Sequence, residues 1–196
     1  VIIWLNGPFG VGKTQTAHEL HERLPGSFVC DPEEIGFALF KTVPHARGRD
    51  FQDIPLWREF TIRTLEHVSS SFDSPVIVPM TLVVPEYHRE IIEALRSSGL
   101  EVRHFTLFAS RTAILRRLRG RADGPGSWGA QNLDRCLNAL RALEFADHLE
   151  TDGCSIEAVA EEIASRAGLE LESRLRDPVS RFARRVRVHW KHIRRA

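Results

Sequence analysis

The sequence predicts a three-layer α/β/α fold built on a five-stranded parallel sheet, followed by a basic amphipathic helix at the C-terminal end. Three observations carry this. Short apolar runs alternate with stretches of helical periodicity. The first run, Val1 to Leu5, is apolar at every position, as in a strand covered on both faces, and it leads straight into the glycine-rich stretch GPFGVGKT. Finally, charge is divided: residues 172–196 hold nine Lys/Arg against two Asp/Glu, a balance of +7, which leaves 18 against 24, or −6, for residues 1–171.

The elements follow in order. After the first strand, Ala17, Leu20 and Leu24 recur at helical spacing until Pro25-Gly26 ends the run. Phe28 to Cys30 reads as a short second strand that stops at Asp31-Pro32. From Gly36 to Phe72 the pattern is helical but broken by Pro44, Gly48 and Pro55. Its last helix starts with Pro55 in the first turn, where a missing N–H costs nothing, and its expected inner face is Trp57, Phe60, Leu65, Val68 and Phe72. Val76 to Val78 is a third strand, and Tyr87, Ile91, Ala94 and Leu95 mark a helix closing at Gly99. Val102 to Phe108 is a fourth strand and Arg111 to Arg119 a short helix. Gly120 to Gly129 reads as loop, Leu133, Cys136, Leu137 and Leu140 as helix, and His148 to Thr151 as a fifth strand. Ser155 is placed to cap a final helix that buries Ile156, Val159, Ala160 and Ile163.

A chain of 196 residues, 42% hydrophobic, supports one core, so residues 1–171 are read as one domain with a lid at about 116–130, and 172–196 as a tail. No apolar run is long enough to span a bilayer and the N-terminus does not look like a secretory signal, which predicts a cytoplasmic protein. Three cysteines without a CxxC pair fit neither a disulfide framework nor a zinc site, and they are expected to be reduced. His18 and His21, three apart, lack further ligands nearby and read as surface residues.

The stretch Gly7, Pro8, Phe9, Gly10, Val11, Gly12, Lys13, Thr14 satisfies the P-loop pattern between a strand and a helix. The glycines let successive N–H groups turn inward on an anion at a helix N-terminus. Lys13 supplies a cation for the β and γ phosphates of ATP, and the Thr14 hydroxyl is a ligand for Mg²⁺. The third strand ends in Pro79-Met80-Thr81 rather than an acid, and no guanine-specific NKxD motif is present, which argues against a GTPase.

Asp31, just past the second strand, lies on the sheet edge shared with the phosphate loop, so it is a candidate to accept the proton of an attacking hydroxyl or to hold Mg²⁺ through water. A turn aspartate before proline is the plain alternative, and Glu33 and Glu34 are the next candidates. Arg116, Arg117, Arg119 and Arg121 precede the glycine-rich loop; Arg117 and Arg121, four apart, share a helical face from which they can close over a nucleotide and neutralise transferring charge. A solvated basic helix end is the plain alternative, and Arg135 is a weaker candidate.

This layout resembles the small P-loop kinases, such as adenylate, shikimate and chloramphenicol kinases, in which the acid after strand two and the lid arginines assist transfer. The resemblance implies those roles for Asp31, Arg117 and Arg121 and puts adenine near Thr151 to Ser155. More specifically, GPFGVGKTQTAHELHERLP, DPEEIGFAL, PLWREF, VPMTLVVPEY, HFTLFAS and RFARRVRVHWKHIRR resemble the bacterial tunicamycin-resistance proteins across nearly the whole chain. That family is known for ATP binding and for protection against tunicamycin, a uridine-containing antibiotic carrying sugars and a fatty acyl chain. The resemblance implies a nucleoside-like ligand and a membrane-associated C-terminal helix.

In PLWREF, Trp57 can stack and Arg58 can pair with a ligand; with Asp31 and Thr81 they form the expected substrate contacts, although a core role for Trp57 and a surface role for Arg58 are equally compatible with the pattern. In the tail, Val179, Phe182, Ala183, Val186, Trp190 and Ile193 form an apolar side ringed by arginine and lysine, suited either to the inner membrane face or to the acidic body. Nothing resembles a nucleic-acid reading module. The expected function is ATP- and Mg²⁺-dependent phosphotransfer to a hydroxyl of a tunicamycin-type antibiotic; the alternatives are ATP-dependent sequestration of the drug and a small-metabolite kinase.

Overall fold

The computed structural model describes residues 1–44, 50–119, 128–145 and 147–173. Five strands, β1 (Ile2–Asn6), β2 (Phe28–Val29), β3 (Val76–Pro79), β4 (Val102–Phe108) and β5 (His148–Glu150), form one sheet in the order β2-β3-β1-β4-β5. Every pairing is parallel. A parallel sheet needs a crossover after each strand, and these crossovers carry the helices that cover both faces.

The alternation within β1 shows how. Ile3 and Leu5 point to one face, where α1 (Lys13–Arg23) and α8 (Ile156–Ala167) bring Ala17, Leu20, Ala160 and Ile163. Ile2 and Trp4 point to the other, where α3 (Pro55–Ser71) and α4 (Pro85–Ser97) bring Trp57, Leu65, Ile91 and Leu95. These four apolar β1 residues are fully buried, each contributing on the order of 1.5–3 kcal/mol of apolar burial, which is why the run shows no polar alternation. Ser155 caps α8 as expected, its Oγ accepting from the Ala158 N–H at 3.2 Å. Cys30, Cys136 and Cys154 are all unpaired thiols.

The remaining helices are α2 (Glu33–Thr42), α5 (Arg111–Arg119), α6 (Trp128–Gln131) and α7 (Leu133–Ala139). Gly36 lies inside α2 because the Phe51 ring packs onto it; a Cβ there would sit 2.5 Å from the ring. A 3₁₀ turn, Phe51–Asp53, carries that ring between α2 and α3.

Three expectations change. The buried residues of α3 are Trp57, Arg58, Thr61 and Leu65, with Val68 packed against the core as expected; Phe60 stays 45% exposed, and Phe72 lies past the helix end, 48% exposed and stacked on Phe28 of the edge strand at 5.9 Å. The expected stripe was too wide, because periodicity fixes a direction around a helix but not how much of it the sheet covers. Trp128 and Gly129, read as loop, open α6. Trp57 is a core residue: it is fully buried, its ring 5.3 Å from that of Phe51, and its indole Nε1–H donates to the Pro32 carbonyl at 3.0 Å, tying α3 to the start of α2. The rest of the lid, Arg121 included, and the tail from 174 onward lie outside the described residues.

Between α4 and β4, His88 and His104 meet edge to face at 4.5 Å, with Phe145 5.0 Å from His88. The Nε2 atoms of both rings are buried without a hydrogen-bond partner. Burial holds His88 down to about 4 and His104 to about 3, Arg96 lowering both and His148 lowering His104 further, with Arg89 lowering and Glu144 raising His88. The fold therefore keeps both rings neutral, while an unfolded chain protonates them near pH 6.5. Their contribution to stability is complete above that pH and is lost as pH falls toward 4 and then 3. Urea titrations from pH 7 to 4.5 should show stability falling, and His104→Phe should flatten that slope; an unchanged slope would remove the pair as its cause. Trp57→Phe should lower stability by about 1–3 kcal/mol through the lost hydrogen bond and lost volume.

Candidate nucleotide and acceptor site

The strand order reverses at β1, so the loop after it opens into the crevice beyond the carboxyl ends of the strands. The Asp31, Thr81 and Thr151 segments leave the sheet at this same edge, after β2, β3 and β5. The crevice is thus assembled from four loops on one rigid sheet.

The phosphate loop begins at a tightly enclosed glycine. Gly7 has φ +141°, and a Cβ there would lie 2.6 Å from the Leu107 carbonyl of β4. Its N–H donates to the Asn6 side chain, Oδ1, at 2.8 Å. Asn6 also accepts from the Leu82 N–H at 2.9 Å and donates to the Leu82 carbonyl at 2.8 Å, so one fully buried amide joins the phosphate loop to the loop after β3. Asn6 was not among the sequence candidates. Its signal was a polar residue closing an apolar strand immediately before the first glycine.

Gly12, at φ +119°, stands at the N-terminus of α1, and Lys13 begins the helix. Lys13 is 7% exposed; its Nζ donates to the Gly7 carbonyl at 2.8 Å and the Pro8 carbonyl at 3.1 Å, 5.3 Å from the centre of the Phe9 ring. Phe9 packs on Gly129 of α6, where a Cβ would meet it at 2.8 Å. Thr14 is half-buried in the first turn of α1. Glycines at positive φ, a helix N-terminus, a lysine and a threonine fit a triphosphate with its Mg²⁺. No group of three or more His, Cys, Asp or Glu side chains placed to hold a metal ion occurs among the described residues.

Across from Lys13 stands an acidic wall. Asp31 Oδ1 accepts the Glu33 N–H at 3.0 Å, fixing the first turn of α2. Burial, then the neighbouring Asp31, pushes the Glu33 carboxyl up to about 7, with Glu34 and Asp50 adding to the rise and Lys13 opposing it. Asp50 is raised chiefly by burial and then by Asp53, against its hydrogen bond from the Gln52 N–H and the charge of Arg135. Asp31, Glu33, Asp50, Lys13 and Arg135 therefore share one electrostatic neighbourhood.

Two sequence candidates are committed elsewhere. Arg58 is buried: its Nε–H donates to Glu90 Oε2 and its Nη1–H to the Gln52 carbonyl, both at 2.6 Å, and its guanidinium lies 4.2 Å from the Tyr87 ring centre. Thr81 is 2% exposed, its hydroxyl donating to the Gly7 carbonyl at 3.0 Å and its carbonyl accepting from Gln52 Nε2 at 3.0 Å. These residues surround the crevice but point into the protein.

Arg117 reaches the nucleotide side by another route. Its Nη1 donates to the Val11 carbonyl at 2.9 Å and Thr151 Oγ1 at 3.1 Å, and its Nη2 to the Thr151 carbonyl at 2.7 Å. The Thr151 hydroxyl in turn donates to the Phe108 carbonyl at 2.9 Å. Arg117 thus braces the phosphate loop against the segment after β5, where the resemblance places adenine.

Residues 2–143 match the family model described as an AAA domain. Among solved structures, the tunicamycin resistance protein of Deinococcus radiodurans is 41% identical, with a TM-score of 0.76, over 88% of this chain and 99% of that one. A gluconokinase from Sinorhizobium meliloti (14% identity, TM-score 0.61, covering 83% and 89%) and a shikimate kinase from Bacteroides thetaiotaomicron (22%, 0.55, covering 86% and 99%) share the fold. A search of curated proteins found no match. A glycine-rich loop sealed by Asn6, the parallel sheet behind it and 41% identity across nearly all of a relative place this chain in the tunicamycin-resistance family of small P-loop kinase-like proteins.

Proposed function

We propose that this chain is an ATP- and Mg²⁺-dependent phosphotransferase that acts on a hydroxyl of a tunicamycin-type nucleoside antibiotic and so confers resistance. The observation that carries the reading is the pairing of the Lys13 phosphate loop with a carboxylate wall whose Glu33 is pushed up to about 7. A carboxyl poised near neutral pH is suited to take a proton from an alcohol, and neither ATP storage nor simple drug binding requires one.

In this mechanism the bound nucleotide supplies the phosphoryl group and Mg²⁺ the neutralising charge. The backbone from Gly7 to Gly12 orients the phosphates, Lys13 leaves its carbonyl partners to pair with them, and Thr14 offers its hydroxyl to the metal. The Asp31–Glu33 pair accepts the acceptor's proton: Asp31 fixes the turn through the Glu33 N–H, and Glu33 carries the carboxylate with the raised value. The acceptor oxygen forms the new bond to the γ phosphorus as the bond to ADP breaks. Arg117 serves as brace for the nucleotide loops, leaving charge compensation from the lid to Arg121. The drug lies over the segment between α2 and α3. Through its basic amphipathic tail the protein acts at the inner face of the membrane, where an acylated drug also partitions.

Mass spectrometry of tunicamycin after incubation with protein, ATP and Mg²⁺ tests this. A gain of ~80 Da, one phosphoryl group, that disappears in Lys13→Ala is expected. Unmodified drug that binds more tightly with ATP would establish sequestration instead, and neither binding nor turnover would point to another small metabolite. If transfer occurs, its rate should rise as pH climbs through about 7, because the Glu33 carboxylate must be unprotonated to act. Glu33→Gln should remove that limb together with at least about a hundredfold in rate, whereas an unchanged profile would move the base role to Asp31.

A further inference from the structure

Lys13 rests on the loop it serves. Its ammonium group donates to the Gly7 and Pro8 carbonyls, and the Gly7 carbonyl accepts a second bond, from the Thr81 hydroxyl at 3.0 Å. A carbonyl oxygen has two lone pairs, so both donors fit at once. Reaching the β and γ phosphates obliges Lys13 to release these carbonyls. Gly7 is buried and both bonds to its carbonyl lie in the interior, so a vacated bond is not simply refilled by bulk water.

We propose that Thr81 is a positioning residue that keeps the Gly7 carbonyl satisfied when Lys13 transfers its hydrogen bonds to phosphate. The hydroxyl then matters more to the nucleotide-bound protein than to the nucleotide-free one. This rests on the ATP-binding part of the reading above and not on phosphotransfer. The backbone around Thr81 is held independently of its hydroxyl, by Gln52 Nε2 on the Thr81 carbonyl and by Asn6 on both polar groups of Leu82. A change confined to the side chain therefore leaves the loop in place.

Thr81→Val preserves shape and removes the donor. In the nucleotide-free protein Lys13 still covers the Gly7 carbonyl, so stability should change little. With nucleotide bound, the carbonyl is left buried and unpaired, a penalty that corresponds to about five- to hundredfold weaker binding.

The experiment is calorimetric titration with ATP and Mg²⁺, alongside thermal melts without nucleotide, for the wild type, Thr81→Val and Thr81→Ser. Weakened ATP binding by the valine variant, near-normal melting and recovery with serine are expected. Wild-type affinity in the valine variant would overturn the proposal, as would a melt depressed as strongly as the affinity. A stability cycle with Lys13→Met needs no nucleotide: once Lys13 is gone, Thr81→Val should cost clearly more than it does in the wild type. Additive effects would show that the two donors do not share the carbonyl. Failure of the wild type to bind ATP would instead sink the functional reading, leaving the cycle to judge Thr81.

Discussion

Everything in the crevice depends on how Gly7 is held. Its amide is bonded to Asn6, its carbonyl to Thr81 and Lys13, and its Cα faces the β4 backbone so closely that no side chain fits. These contacts join the first, third and fourth strands at the point where the chain leaves the sheet. The entry to the phosphate loop is therefore held by the protein's own contacts. Gly10 and Gly12, at φ +81° and +119°, continue the loop from that anchor.

The anchor also divides the crevice into halves with different character. On one side Arg117 links the Val11 carbonyl to Thr151, stiffening the walls that flank a nucleotide. On the other, the side formed by α2 and α3 is supported from beneath by buried polar groups: Gln52 reaches Thr81, Arg58 bonds the Gln52 carbonyl and Glu90, and Trp57 holds Pro32. Each would be costly if left unpaired, so the set specifies one arrangement of α2, α3 and α4 around the acidic wall. Charge complements this division, with Lys13 set against Asp31, Glu33 and Asp50.

Most of the architecture was legible because its causes are local. Apolar runs without alternation announced strands covered on both faces, the strand-to-glycine junction announced the phosphate loop, and Ser155 announced its helix. Direction was not legible. The side chains of Trp57, Arg58 and Thr81 serve the protein interior, since sequence spacing locates a residue on an element without saying which neighbours claim its polar atoms. Asn6 escaped for the same reason: its two partners are Gly7, adjacent in sequence, and Leu82, 76 residues away. Arg117 was recognised as part of a basic cluster, but its brace to Val11 spans 106 residues. Arg121 and the basic tail lie outside the described residues.

On nucleotide binding, Lys13 is expected to pass from the Gly7 and Pro8 carbonyls to the phosphates on a loop already held in place. A crystal structure with Mg²⁺ and a non-hydrolysable ATP analogue tests it most directly. Lys13 Nζ should have left the Gly7 and Pro8 carbonyls for the β and γ phosphates, with the Asn6 and Thr81 bonds to Gly7 still in place. A bound nucleotide with Lys13 still on those carbonyls, or with the Gly7 anchor rebuilt, would contradict the account.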